Sequence, residues 1–200
     1  MTNKKNFPSA KAYILNRQKE ALSSHLYYHS LRHVLDVYAA AKRIANKEGL
    51  SRNDTILVKT AALYHDCGYM ISTIDHETAS CEIAKNSLPQ FGYSSSDISI
   101  ICNMILATKI PHQPQTLMEE ILCDADLDYL GRGDFYVIGD LLFKELLDSK
   151  SINDRKEWNK IQLDFLKAHT YFTATSLSER QPQKAEYIKE LTLKNQTYEN

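Results

Sequence analysis

Apolar residues return every three or four positions along most of this 200-residue chain, and no stretch alternates for long at period two. That rhythm is helical, since a 3.6-residue period puts positions i, i+3, i+4 and i+7 on one face. The clearest case is Val34, Val37, Tyr38, Ala41 and Ile44, with Gly49 standing where a helix C-cap belongs. Turn formers are correspondingly scarce: six Gly and five Pro in 200 residues, against about 12% in average proteins. A chain this short of turns cannot make the many reversals of a sandwich or barrel. The reading is an all-α fold of eight or nine helices. It forms one domain over residues 1–200, because no Ser/Gly/Pro-rich linker divides the chain.

Helices are expected over about 9–27, 29–48, 51–66, 75–88 and 95–108, then from about Leu117, and over about 134–148, 154–176 and 182–195. Ser51 or Asn53 and Asp75 are the expected N-caps, and Leu88-Pro89 a stop. Gly68 breaks the third helix just after His65-Asp66, and the loop PHQPQT precedes Leu117.

Charge and composition exclude several classes. With 24 basic and 25 acidic residues, no global field draws in nucleic acid or an anionic membrane. No apolar run approaches the roughly 18 residues of a membrane span, and the opening MTNKKNFPSAK has no apolar leader. Cys67, Cys81, Cys102 and Cys123 form no CxxC pair, so they read as reduced, mostly buried thiols of a cytoplasmic protein.

The chemistry lies in polar groups that interrupt apolar helices. His29 and His33 are four apart, which puts both imidazoles on one helix face. His65 and Asp66 end the next helix, and Asp124, Asp126 and Asp128 cluster in ILCDADLDYLGR. Taken singly each has a plain structural explanation: a core histidine, a solvated face, carboxylates at a helix start. Taken together and in order, they offer mixed nitrogen and oxygen donors that suit a divalent ion of the Mn, Fe, Co, Ni, Zn or Mg group.

The sequence resembles the HD superfamily of metal-dependent phosphohydrolases. The resemblance is carried by YHSLRH (Tyr28 to His33), ALYHDCGY (Ala62 to Tyr69), His76-Glu77 and CDADLDYLG (Cys123 to Gly131). It covers about 28–131, with helices over about 134–195 expected to pack on that core. The resemblance implies one divalent metal held by His33, His65, Asp66 and Asp126, with Asp124 the rival for the last place. It implies hydrolysis of a nucleotide or related small phosphate ester or phosphodiester by a metal-activated water. By the same resemblance His29 is the candidate general acid, with Asp66 and His76 beside it in the catalytic set. Bimetal members carry a further histidine where this chain has Thr108, which favours a single ion. For the substrate phosphate the candidates are Arg132, flanked by Gly131 and Gly133, and Lys109, with Arg32 and Lys184 behind them.

Trp158 to Thr173 is similar to a helix of bacterial members of unassigned activity, with Gln162, His169 and Tyr171 distinctive. Packing by Trp158, Leu163, Phe165, Leu166 and Phe172 explains most of that stretch. Two other classes stay open at the level of sequence. One is a non-catalytic sensor module that binds metal or nucleotide; the other is a metal-free helical interaction protein.

Overall fold

A computed structural model describes residues 5–197. The head of the chain, MTNK, and Tyr198–Asn200 lie outside them. The described residues form ten α-helices and no strand: α1 Phe7–Ala21, α2 Leu31–Lys47, α3 Arg52–Tyr64, α4 His76–Ser87, α5 Ser95–Ala107, α6 Leu117–Asp126, α7 Phe135–Asp148, α8 Arg155–Ala168, α9 Ala174–Glu179 and α10 Gln181–Thr197. Short 3₁₀ turns follow α3 (Cys67–Met70), α4 (Leu88–Phe91) and α6 (Asp128–Gly131). No helix among the described residues is long and apolar enough to cross a membrane.

Local chemistry explains most boundaries. Ser51 caps α3 by accepting from the Asp54 N–H. Ser94 and Asp97 form a reciprocal capping box at α5, and Thr116 caps α6. Asp75 stands before α4 but does not cap it. Its backbone is left-handed, at φ 52°, and its carboxylate is paired with Lys109.

Two expected helices are shorter in the structure. The first ends at Ala21 rather than near 27, and α2 starts only at Leu31, so His29 precedes the helix that carries His33. The reason is tertiary: the Glu145 carboxylate on α7 accepts from the Tyr28 and His29 N–H groups, at 2.8 and 3.2 Å, and so holds them out of a helix. The stretch expected over 154–176 is split at His169, whose ψ of 137° is extended. There the buried Asp124 carboxylate accepts from the Phe172 N–H, the Thr173 N–H and the Thr173 hydroxyl, at 2.7–3.0 Å. Thr173 then caps α9, which raises the expected eight or nine helices to ten.

Two apolar clusters hold these helices. In the first, Ala41, Ala45, Ala61 and Ala62 are buried with Ile44, Leu57, Ile101, Met104 and Leu122, residues of α2, α3, α5 and α6, helices that pack on one another. Small side chains let helix backbones come close, and branched chains around them exclude water. The second cluster joins Leu130 and Phe135 to Leu163 and Leu166 on α8 and to Tyr187 and Leu191 on α10. All four cysteines are buried and free.

Candidate metal centre and its cavity

His65 caps the C-terminus of α3, and Asp66 follows before the chain turns through Cys67–Met70. That turn needs glycine, because a Cβ on Gly68 would stand 1.9 Å from the His76 carbonyl oxygen of α4. Ser80 on α4 closes the join: its hydroxyl accepts from the Gly68 N–H and donates to the His65 carbonyl, each at 2.7 Å. The His65 ring is oriented in turn, since Nδ1 donates to the Ala62 carbonyl at 2.9 Å. Its Nε2 is thereby the atom that faces the centre.

There His65 Nε2 meets His33 Nε2 of α2 at 3.4 Å. Asp66 Oδ2 lies 3.3 Å from the His33 nitrogen and 3.2 Å from the His65 nitrogen. Asp126 Oδ1, at the end of α6, lies 3.0 and 3.4 Å from the same two atoms. His33, His65 and Asp66 are a buried group that could hold a metal ion, and Asp126 adds a second carboxylate to both imidazoles. The His33, His65 and Asp66 group fits one divalent cation. Ligands about 2.1 Å from an octahedral ion sit about 3 Å apart when adjacent, and two imidazoles with two carboxylates suit the first-row divalent metals.

The electrostatics of these four side chains are consistent with that fit. Burial pulls the His33 imidazole down, but Asp126 and Asp66 overcome it and hold it at about 9. His65 is likewise raised against its own burial by the same carboxylates. Burial pushes Asp66 and Asp126 up, and the two imidazoles more than reverse this, so both stay ionised. Protons on the histidines thus compensate the buried carboxylates, in the place where a cation can replace them.

The other expected residues divide. His76, the first residue of α4, reaches Asp66 Oδ1 at 3.3 Å. His29 lies 6.2 Å from His33, ring centre to ring centre, so it reaches the same region from its loop. Lys109 lines the cavity rim, paired with Asp75. Arg132 is not brought to the cavity. It is held by Asp36, Asp128 and Asp134 and lines a separate depression with Arg32. Lys184 is buried and donates to the His169 carbonyl. Asp124 spends both carboxylate oxygens on Phe172 and Thr173, which leaves Asp126 at the centre.

Sequence reading missed two residues. Glu145 bonds His29 Nδ1. Burial raises its carboxyl, but the His29 ring and two backbone N–H groups lower it further, so it remains a carboxylate. A glutamate inside the otherwise apolar face of FYVIGDLLFKELLD was its only signal. Tyr69 stacks between His29 and His76, at 4.3 and 4.1 Å, and ties both rings into one wall.

These groups open on a cavity of about 520 Å³, within the size range of small-molecule sites. One wall carries His29, His33, Asp66, His76, Glu77 and Asp126; another, from α7 and α8, carries Leu142, Leu146, Trp158, Ile161, Gln162 and Phe165.

Comparison with known proteins agrees with this architecture. Residues 30–128 match the model of the HD domain. An uncharacterized protein of Clostridium beijerinckii is 36% identical over 98 residues, which are 47% of this chain and 62% of that protein. The match thus spans about three fifths of the relative's length. A predicted HD superfamily hydrolase from an uncultured Thermotogales bacterium has a similar fold, with a TM-score of 0.62 and 20% identity over 94% of this chain and 92% of that one. Bacillus subtilis YpgQ, solved in complex with ADP, gives a TM-score of 0.60 and 20% identity over 91% and 95% of the two chains. Residues 30–128 therefore match the HD domain, on a fold shared with both of these solved proteins.

Proposed function

We propose that this protein is a metal-dependent phosphohydrolase of nucleotides or related small phosphate esters. The observation that carries the reading is the meeting of the His33 and His65 nitrogens with one oxygen each of Asp66 and Asp126, every oxygen 3.0–3.4 Å from both nitrogens, in the wall of a cavity large enough for such a substrate. His33, His65, Asp66 and Asp126 would hold one divalent ion. When bound, such an ion polarises a phosphoryl oxygen and makes water a competent nucleophile near neutral pH.

The remaining work falls to side chains. His29, with Nδ1 bonded to Glu145, presents its other nitrogen toward the cavity and would pass a proton to the leaving oxygen. Glu145 holds that ring in one orientation. His76 steadies Asp66 through the 3.3 Å contact. Lys109 at the rim is the cation nearest to hand for a substrate phosphate, and it must leave Asp75 to serve one. YpgQ in complex with ADP, on the same fold, supports a nucleotide as the ligand.

The test is hydrolysis of an aryl phosphate and of a nucleotide panel with Mn²⁺, for the wild type and Asp66→Ala. Turnover by the wild type, with a loss of at least about 10³-fold in the variant, is the expected result. Bound metal without turnover in either protein would overturn the catalytic reading and leave a sensor module. Absence of bound metal after purification without chelator, and no thermal shift on adding Mn²⁺, would overturn both.

A further inference from the structure

Among the side chains of the cavity one is conspicuous for what it does not touch. Gln162, on α8, is 7% exposed and lines the cavity between Trp158, Ile161 and Phe165. A buried carboxamide offers two donors and an acceptor and normally has partners for them. Among the described residues no hydrogen bond joins this one to the protein. Yet it is not sealed into the core, because it faces the cavity space.

The helix opposite makes room for it. Gly139 on α7 has ordinary helical backbone, so no turn geometry calls for glycine there. What calls for it is Gln162: a Cβ at Gly139 would lie 2.6 Å from the Gln162 side-chain nitrogen and 3.9 Å from Trp158. Glycine inside a helix costs about 1 kcal/mol relative to alanine, and at this position the missing methyl leaves space for an amide that has no protein partner.

The surroundings limit what that amide can bind. Leu142, Leu146, Trp158, Ile161 and Phe165 give a dry, partly aromatic wall suited to the face of a planar ring. A carboxamide on such a wall pairs with an edge that sets a donor beside an acceptor, as glutamine does with adenine. In the free protein water can serve the amide, and a ligand edge replaces that water on binding.

We propose that Gln162 is the specificity residue of the cavity, and that it reads the donor–acceptor edge of a nucleotide base seated against α7 and α8. This rests on the nucleotide reading above and adds which end of the cavity takes the base, and through which atoms. The phosphates then point to the wall that carries His33, Asp66 and Asp126.

The test is equilibrium binding to the Mn²⁺-loaded full-length protein of two ligands that resist loss of the terminal phosphate. One is α,β-methylene ADP; the other is its counterpart with hydrogen in place of the 6-amino group. The wild type should bind the first about tenfold more tightly. In Gln162→Leu, which removes the amide, the two should bind alike. Gly139→Ala displaces the amide while favouring the helix, so it should narrow the difference without lowering thermal stability. It also serves if the leucine variant folds poorly. Equal binding of the two ligands by the wild type, or the full wild-type difference in Gln162→Leu or Gly139→Ala, would overturn the assignment. A difference that behaves as expected, in a protein with no phosphohydrolase turnover, would instead overturn the hydrolase reading and leave this one standing.

Discussion

His33, buried, and His169, half-buried, show how the same residue type takes opposite charge states here. His33 faces Asp126 and Asp66 and is held up at about 9. His169 is pulled down to about 3 by burial, then by the charges of Lys184 and His112. The second shift has a consequence for stability. A histidine with its folded pKa depressed from 6.5 to about 3 is neutral in the native state while the unfolded chain takes up a proton. Its contribution is fully present above pH 6.5 and is lost as the pH falls toward 3. Between pH 6.5 and 5 the loss should be about 2 kcal/mol. His169→Gln should remove that part of the slope in urea unfolding at pH 7, 6 and 5; identical slopes for the two proteins would contradict it. Glu145 gives a kinetic counterpart. If it positions His29, Glu145→Gln should lower kcat about 10- to 100-fold with KM within about twofold, and Glu145→Asp should recover part of the rate. A change confined to KM would show that Glu145 serves binding instead. His33, His65 and Asp66 were legible as a chemical set from their order alone, whereas Glu145 was not: its partner His29 is 116 positions away, and nothing local marks the pair.

Helix ends place the centre, so its accuracy depends on how those ends are joined. Ser80 matters most, because one hydroxyl bonds both the Gly68 N–H and the His65 carbonyl. Ser80→Ala leaves two buried backbone groups without partners. That should cost about 2 kcal/mol and weaken Mn²⁺ binding about 10- to 100-fold, read by calorimetry against the wild type. A stability loss with unchanged Mn²⁺ affinity would mean that the join supports the fold but not the ligand geometry. Caps such as Ser51, Ser94 and Thr116 follow from local residue chemistry. The start of α2 and the end of α8 do not, because Glu145 and Asp124 draw backbone N–H groups from distant segments and so override local helical preference.

Across the whole molecule, one buried carboxylate ties the family segment to the C-terminal helices through three arginines. Asp128 pairs with Arg43 of α2 at 2.6 Å, with Arg180 between α9 and α10 at 2.7 Å, and with Arg132 at 3.4 Å. Removing one partner from such a network leaves charges uncompensated in low dielectric, so Asp128→Ala should destabilise the protein by about 3–5 kcal/mol. Urea unfolding measures this, and a loss below about 1 kcal/mol would mean the arginines find water instead. The same network accounts for the place of Arg132 away from the cavity: its guanidinium is held by three carboxylates.

By itself the sequence determined the helical class, most helix centres and the chemical identity of the proposed ligand set. Period, caps and residue type are local properties, and they need no knowledge of what packs against what. Tertiary structure decided where Asp124 and Asp126, two positions apart on one helix, point, because only packing turns the first to Thr173 and the second to His33. It also decided that His29 leaves its helix to meet Glu145, and that Gln162 faces a cavity rather than a core. Each of those outcomes depends on a contact between segments far apart in the chain, and such contacts leave no periodic trace in either segment.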